Sequence, residues 1–212
     1  MWSRATPIAE FASSTAPYAS TRALALETGS AVASTTVAFD ARGRVEYSTD
    51  PLGHKTRTQY DGLDRPITIT VNYQDGVFDA DKLDEDLITR YAYDAAGNRV
   101  AMTDPQGIAT KYEYDLLNRL VKVTENYLAG GPQNGDTNVV TEYTYDAAGN
   151  RLKITDGRQK TTTFTYDLLN RQLTVTDPLT HTWQYAYDAA GNVITMTDAL
   201  GRATVTTYDL FN

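Results

Sequence analysis

The sequence predicts an all-β protein made of repeated antiparallel β-hairpins that form one twisted, spiralling open sheet. The first observation is an aspartate, preceded by an aromatic residue, that recurs at a fixed interval: Asp146, Asp167, Asp188 and Asp209 lie 21 residues apart. The second is strict alternation of large with small or polar residues on both sides of each aspartate. The third is a regular supply of turn-forming glycine, asparagine and proline. No segment has the period of an amphipathic helix.

The strands are predicted from residues that alternate with period 2. Before each aspartate, two aromatic residues are separated by one small or polar residue; after the turn, two aliphatic residues are spaced in the same way, as in Val121 and Val123. This pattern is typical of half-buried strands, and its repetition gives about 15 strands. The aromatic pairs are Tyr91/Tyr93, Tyr112/Tyr114, Tyr143/Tyr145, Phe164/Tyr166 and Tyr185/Tyr187.

Two kinds of turn are predicted to join the strands. The first turn follows the aromatic pair and has two alternating forms, DAAGN and DLLN, in which glycine or asparagine supplies a left-handed residue. The second turn begins with Thr-Asp about ten residues later, as in Thr103-Asp104-Pro105. The residues that define this repeat, and that we predict to be structural, are Tyr60, Asp61, Tyr93, Asp94, Gly97, Asn98, Tyr114, Asp115, Asn118, Tyr145, Asp146, Gly149, Asn150, Tyr166, Asp167, Asn170, Tyr187, Asp188, Gly191, Asn192, Tyr208 and Asp209.

The repeat is predicted to occupy residues 37–212, with insertions near 72–86 and 126–139 that replace the second turn. Residues 1–36 are rich in alanine, serine and threonine and contain one degenerate repeat around Tyr18, so we predict a separate, loosely ordered beginning. A β-propeller is the alternative fold, because the two alternating turn forms give a period of four strands, about the length of one blade. The same aromatic pattern in both halves of that period favours the open sheet.

Composition and charge argue against several functions. The net charge of −8 is unfavourable for nucleic-acid binding, which needs clustered cations. No apolar run approaches the roughly 18 residues of a membrane helix, and there is no cysteine for a disulfide or thiolate site. No serine lies beyond Ser48, and the only histidines, His54 and His181, lie beside second turns, so no catalytic triad is indicated. We expect a non-enzymatic chain without catalytic, cofactor-binding or metal-binding residues.

The repeated charged residues are interpreted as structural. An aspartate that opens a tight turn accepts hydrogen bonds from backbone N–H groups two residues on. The acidic run from Asp79 to Asp86 lacks the glycine and terminal glutamate of a calcium-binding loop, so we expect a solvated loop. The arginines that close the turns, and that we expect to pair with the aspartates, are Arg44, Arg65, Arg99, Arg119, Arg151 and Arg171.

The first tyrosine of each aromatic pair is the candidate ligand-facing position. Tyr91, Tyr112, Tyr143 and Tyr185 are expected to form a row of rings on one sheet face. Such rings either pack against neighbouring strands or stack on sugars. Carbohydrate binding is therefore the competing functional hypothesis.

The segment YDAAGNRVAMTDPQGIATKYEYDLLNRL, from Tyr93 to Leu120, closely resembles the tyrosine-aspartate repeats of the RHS, or rearrangement hotspot, family, and the likeness covers roughly residues 39–212. The resemblance implies a β-sheet wound into a hollow shell that, in bacterial polymorphic toxins, holds a toxic C-terminal domain until delivery. It implies a non-catalytic shell segment, secreted or at the surface of a bacterium, whose partners are further repeats and an enclosed toxin or similar cargo. An adhesive or carbohydrate-binding surface module, with glycans as partners, is the alternative.

Overall fold

The computed structural model describes residues 34–209, and every regular element in that range is a β-strand. The bounds are β1 Thr36–Phe39, β2 Val45–Thr49, β3 Lys55–Tyr60, β4 Pro66–Val71, β5 Leu87–Tyr93, β6 Arg99–Thr103, β7 Ala109–Tyr114, β8 Leu120–Glu125, β9 Val139–Tyr145, β10 Arg151–Thr155, β11 Thr161–Tyr166, β12 Gln172–Thr176, β13 Thr182–Tyr187, β14 Val193–Thr197 and β15 Ala203–Val205. Among these residues no helix is long and apolar enough to cross a membrane. The degenerate repeat around Tyr18 lies outside the described residues.

Each strand pairs antiparallel with the next strand in sequence, which gives one open sheet in the order β1 to β15. This confirms the predicted all-β hairpin architecture. A β-propeller would divide the strands into separate four-stranded sheets, whereas β6 to β15 pair here without interruption. The chain divides into two compact units, with the boundary between Arg90 and Tyr91. The first unit contains β1 to β4 and the second contains β6 to β15, while β5 spans the boundary.

The two faces of the sheet differ in chemistry within the second unit. On one face, which we call the aromatic face, aromatic side chains lie directly opposite aliphatic ones on the adjacent strand, a stabilising arrangement in antiparallel sheets. On the other face polar pairs are common: Lys122 and Glu113 form an ion pair of 3.1 Å, and the hydroxyls of Thr165 and Thr174 are 2.7 Å apart. The aromatic–aliphatic pairs are Tyr112/Val123, Tyr143/Ile154, Phe164/Val175 and Tyr185/Met196.

A β-bulge ends the first strand of most hairpins. In the β7–β8 hairpin Glu113 pairs with Lys122 but Tyr114 pairs with Leu120, so two residues of β8 oppose Tyr114. A bulge of this kind bends the strand and increases its local twist. It therefore places the last aromatic residue of the repeat at the rim of the sheet. The same shift occurs at Phe39, Tyr60, Tyr145, Tyr166 and Tyr187.

Very little of this sheet is buried. Among residues 34–209, the buried apolar residues are Ile88 and Val140, which are 5% and 6% exposed. Each lies opposite a buried threonine, Thr70 or Thr124, on the adjacent strand. Both pairs adjoin the insertions, which run from 72 to 86 and from 126 to 138. Burial is therefore deepest where the insertions leave the sheet, and the rest of the described sheet is a single, half-exposed layer.

The second turns need a left-handed residue three positions after the aspartate. Gly53 provides it in the turn DPLGH, with φ of 90°. In the corresponding turn DPLTH the position is occupied by Thr180, with φ of 69°. A β-branched residue is sterically strained at positive φ, and left-handed geometry costs about 1–2 kcal/mol for residues other than glycine. Thr180 is therefore a local weakness in the second unit.

Replacing Thr180 by glycine should stabilise the protein. The relief of left-handed strain, about 1–2 kcal/mol, exceeds the entropic cost of glycine in the unfolded chain, about 0.4–1 kcal/mol. We expect the free energy of unfolding in urea to rise by roughly 0.5–1 kcal/mol for Thr180→Gly. The matched variant Gly53→Thr should lower it, although a Cβ at Gly53 meets no atom within 4 Å. Equal stability of wild type and Thr180→Gly would contradict this account.

Candidate functional site

The repeated aspartate closes its turn through four hydrogen bonds, three to its carboxylate and one from its backbone N–H. Asp115 Oδ1 accepts the backbone N–H groups of Leu117 at 2.9 Å and Arg119 at 3.0 Å. Asp115 Oδ2 accepts the Nε–H of Arg119 at 2.7 Å, and the Asp115 backbone N–H donates to the Arg119 carbonyl at 3.0 Å. One carboxylate thus accepts two backbone N–H groups of the turn and the side chain of its last residue. The equivalent backbone bonds are found at Asp40, Asp61, Asp146, Asp167 and Asp188.

The second turns are built in the same way, although only the first turns were predicted to close through an aspartate. Asp177 Oδ1 accepts the backbone N–H groups of Leu179 and His181, both at 2.8 Å. His181 Nδ1 lies 2.8 Å from Asp177 Oδ2, and His54 Nδ1 lies 2.9 Å from Asp50 Oδ2. The two histidines therefore occupy the position that arginine or asparagine holds in other turns, four residues after the aspartate. That fixed spacing was visible in the sequence.

The turn geometry lowers the pKa of the aspartates. The pKa of Asp115 lies below its ordinary value chiefly because the carboxylate accepts the Arg119 backbone N–H, while partial desolvation acts in the opposite direction. At Asp94 the hydrogen bond from the Asn98 side chain is the main reason that the pKa is lowered. The ionised form is therefore favoured in the folded protein. The same direction applies to Asp40, Asp146, Asp167, Asp188 and Asp198.

The arginine of the DLLNR turn links each hairpin to the next. Arg171 donates from Nε to Asp167 in its own turn at 2.7 Å and from Nη1 to the Asp188 carbonyl in the following turn at 2.9 Å. Its guanidinium also lies 4.7 Å from the centre of the Tyr187 ring, a cation–π contact. Arg119 makes the same contacts with Asp115, the Asp146 carbonyl and Tyr145. In the first unit Arg44 does so with Asp40, the Asp61 carbonyl and Tyr60.

The asparagine of the DAAGN turn links hairpins by a different bond. Asn98 Nδ2 donates to Asp94 Oδ2 in its own turn at 3.0 Å and to Asn118 Oδ1 in the following DLLN turn at 2.8 Å. Asn150 and Asn170 repeat the second bond at 2.8 Å. One turn form thus provides an amide donor where the other provides an amide acceptor. The alternation of the two forms along the chain follows from this complementarity.

The predicted turn residues divide into two roles in the structure. Gly97, Gly149 and Gly191 have φ between 93° and 97°, and Asn118 and Asn170 have φ of 59° and 62°. These five residues reverse the chain. Asn98, Asn150 and Asn192 follow the glycines and instead donate from Nδ2 to the aspartates Asp94, Asp146 and Asp188. The two roles were not distinguished in the prediction from sequence.

The tyrosine that precedes the aspartate reaches the preceding hairpin. Tyr114 donates its hydroxyl proton to the carbonyl of Arg99 at 3.0 Å, and Tyr187 donates to the carbonyl of Gln172 at 2.8 Å. The accepting carbonyl belongs to the start of the second strand of that hairpin. The further donor–acceptor pairs are Tyr60 to Val45, Tyr145 to Leu120, Tyr166 to Arg151 and Tyr208 to Val193.

The candidate ligand-facing tyrosines are half-buried on the aromatic face. The Arg99 guanidinium lies 5.7 Å from the Tyr91 ring centre and 4.9 Å from that of Tyr112. Arg151 lies between Tyr143 and Phe164 at 5.9 and 5.6 Å. These arginines come five residues after the aspartate rather than four, and they contact aromatic rings, whereas ion pairs with the aspartates were predicted from the sequence. A difference of one residue changes the face of the strand on which the side chain lies.

The two insertions have the same framework. Each begins with an asparagine and a tyrosine, and the tyrosine backbone N–H donates to the sheet at 2.7 Å, from Tyr73 to Lys55 and from Tyr127 to Ala109. Near the end of the first insertion Asp86 accepts the backbone N–H groups of residues 74, 75 and 76. Burial raises the pKa of Asp86, but these bonds outweigh it, so the pKa lies below its ordinary value.

The second insertion is closed by Asn138, which takes the place of Asp86. Its Oδ1 accepts the Leu128 backbone N–H at 2.9 Å, and its Nδ2 donates to the carbonyls of Leu128 and Gly131, both at 3.0 Å. Asp79, Asp81 and Asp84 of the acidic run are exposed. Residues 34–209 contain no group of three or more histidine, aspartate or glutamate residues arranged to hold a metal ion.

This geometry defines a class of protein: a hairpin-repeat protein in which each unit is bonded to its neighbours. The sequence model of the RHS Repeat family matches residues 34–73, 85–109, 93–127, 145–182, 166–203 and 187–212. These matches cover well over half of the chain, so the chain belongs to the RHS repeat family. No protein of curated function matches the sequence at a significant level.

Solved structures share this fold at low sequence identity. A structure of the Photorhabdus luminescens Tc holotoxin pore is similar over 85% of this chain and 10% of that chain, with 19% identity and a TM-score of 0.62. The crystal structure of TcdB2-TccC3 is similar over 83% of this chain and 10% of that chain, with 20% identity and a TM-score of 0.64. The chain thus spans about a tenth of the length of these proteins, and the likeness shows the fold.

Acid should destabilise the protein through its turns. A folded pKa below the unfolded value, about 3.9 for aspartate, contributes stability that is present above that value and is lost as the pH falls through the folded pKa. We expect a melting temperature that is constant between about pH 5 and 8 and falls steadily below about pH 4. In the variant Asp115→Asn, melting below pH 4 should change less steeply with pH. Destabilisation that begins above pH 6 would contradict this account.

Proposed function

We propose that this chain is a structural segment of an RHS-type shell that encloses a toxin or similar cargo, and that it is itself non-catalytic. The observation that carries the proposal is the way in which the sheet extends. Each hairpin bonds to its neighbours through recurring contacts of three kinds, made by arginine, asparagine and tyrosine, as at Arg119, Asn98 and Tyr114. A wall assembled in this way lengthens by adding repeats and needs no hydrophobic core of its own.

Exposure supports the same proposal. Inward packing of a globular domain would bury the aromatic face, but Tyr112, Tyr143 and Tyr185 are only half-buried. The wall of a shell leaves both of its faces partly exposed, because one face borders the internal space and the other borders solvent. The similar structures are a Tc holotoxin pore and TcdB2-TccC3. Secretion or display at a bacterial surface, and further repeats as partners, are part of this proposal.

A second candidate function is binding of glycans at the aromatic face. The half-exposed rings of Tyr112 and Tyr143 favour it, because sugar rings stack on aromatic faces that remain accessible. Arginines already lie beside both rings, Arg99 at 4.9 Å from Tyr112 and Arg151 at 5.9 Å from Tyr143. Glycan binding that is lost in Tyr112→Ala/Tyr143→Ala would favour this candidate over the shell.

The shell proposal predicts that the natural gene product containing these repeats protects a non-repeat segment from protease. We expect that segment to resist digestion in the wild type and to be cut when the wall is weakened by Asp115→Ala/Asp167→Ala, which removes two turn-closing carboxylates. Mass spectrometry of the digestion products over time measures both rates.

The matched control is Glu113→Gln, which removes an exposed charge of the polar face and leaves the turns unchanged; it should keep the protection of the wild type. Equal cleavage of the non-repeat segment in wild type and in the double alanine variant, with the repeats intact, would overturn the proposal.

A further inference from the structure

One rim of the second unit carries apolar side chains in a regular pattern. This rim, which we call the first-turn rim, consists of the five turns 94–98, 115–119, 146–150, 167–171 and 188–192. The two residues after each aspartate alternate between small and large. In chain order they are Ala95-Ala96, Leu116-Leu117, Ala147-Ala148, Leu168-Leu169 and Ala189-Ala190.

The leucines of this rim are almost free of contact with the rest of the chain. Leu116 is 102% exposed and Leu168 is 101% exposed, and their neighbours Leu117 and Leu169 are 67% and 69% exposed. The turn itself does not need them, because its hydrogen bonds from these positions use only the backbone N–H groups of Leu117 and Leu169. Tight turns usually place polar or small residues at such positions. The leucine side chains therefore have no role in the turn itself, and a contact with another molecule would explain them.

The spacing of the rim is fixed by the sheet. Successive first turns are two strands apart, about 10 Å, and the two leucine pairs are four strands apart, about 19 Å. The turns are also bonded to one another, by Asn98 to Asn118, Arg119 to Asp146, Asn150 to Asn170 and Arg171 to Asp188. The turns that carry the leucines are thus held in a row, so that docking would order the leucine side chains but not the turns beneath them.

The charges of the rim do not oppose a close approach. The Asp115 and Asp167 carboxylates are paired at 2.7 Å with Arg119 and Arg171. The alanine turns on either side of Asp115 carry the neutral amides of Asn98 and Asn150 as partners of their ionised aspartates. A second rim docked leucine over alanine would therefore place the arginine-paired aspartates of one copy, and not its amide-bonded ones, opposite the amide-bonded aspartates of the other. The opposite rim lacks this regularity, because its second turns read DPQGI, DGRQK, DPLTH and DALGR.

We propose that the first-turn rim is a self-complementary interface, at which a second copy of this chain docks with its leucine pairs over the alanine pairs. The order small, large, small, large, small reads the same in both directions. Two rims in opposite directions, displaced by one hairpin, therefore match a large pair with a small pair at four successive turns. Such a contact obeys two-fold symmetry, because Leu116 meets Ala147 of the partner subunit and Ala147 meets Leu116 of the partner subunit.

Large side chains over small ones fill the contact at the density of a protein interior, whereas leucine over leucine would leave gaps beside the alanines. Displacement by one hairpin is therefore preferred over direct alignment. This interface goes beyond the shell proposed above, and either proposal can fail without the other.

Sedimentation velocity over a range of concentrations tests the interface. We expect a concentration-dependent dimer for the wild-type chain and a dimer dissociation constant at least about tenfold higher for Leu116→Asn/Leu168→Asn. The matched control Leu179→Asn/Leu200→Asn changes exposed leucines of the opposite rim and should dimerise like the wild type. The thermal melting profile, measured at a concentration where all variants are monomeric, should be the same for all three.

A second variant distinguishes a specific interface from non-specific apolar association. Ala147→Leu adds apolar surface but fills the small position, so it should weaken the dimer, whereas non-specific apolar association would become stronger. Because the chain contains no cysteine, Leu116→Cys/Ala147→Cys should also give a disulfide-linked dimer under mild oxidation, and Leu200→Cys should not.

A wild-type chain that remains monomeric at high concentration would overturn the proposal. A dimer that persists unchanged in Leu116→Asn/Leu168→Asn would also overturn it, because the contact would then lie outside the first-turn rim.

Discussion

The aspartate carboxylate that closes each turn is the contact on which the rest of this sheet depends. At Asp115 it satisfies two backbone N–H groups and orients the side chain four residues on. That side chain, once oriented, reaches the following hairpin: Arg119 contacts both the Asp146 carbonyl and the Tyr145 ring. The geometry of each turn thereby positions a side chain that bonds to the next repeat. A single-layer sheet needs such bonds because it buries too little apolar surface to be stabilised by a core.

The two insertions show how the same sheet adds buried surface locally. Thr70 and Ile88 beside the first insertion, and Thr124 and Val140 beside the second, are the buried strand pairs of the described residues. Both loops are anchored by a tyrosine N–H at one end, and a side chain near the other end, Asp86 or Asn138, holds the loop backbone. The loops thus differ in length and charge while their attachment to the sheet is the same.

Much of this architecture is predictable from the sequence, because a 21-residue repeat with period-2 alternation leaves few alternatives to stacked hairpins. The contacts between repeats were harder to predict. Arg119 and Arg99 both follow a turn, but the spacings of four and five residues place one in an ion pair with Asp115 and the other beside the ring of Tyr112. Both spacings are visible in the sequence, and both kinds of hairpin carry the same bulge, but residue type alone does not show which groups each arginine contacts. The strain at Thr180 was not predicted for a similar reason, since the turn imposes a left-handed φ that threonine does not favour.

The hydroxyl of Tyr187 provides the most direct test that bonds between neighbouring hairpins stabilise the sheet. It donates to the Gln172 carbonyl at 2.8 Å, while Tyr185, two residues earlier on the same strand, packs opposite Met196 and makes no such bond within residues 34–209. Urea unfolding of Tyr187→Phe should show a loss of about 1 kcal/mol, and Tyr185→Phe should stay within about 0.5 kcal/mol of the wild type. An unchanged Tyr187→Phe, or equal losses in both variants, would contradict the account.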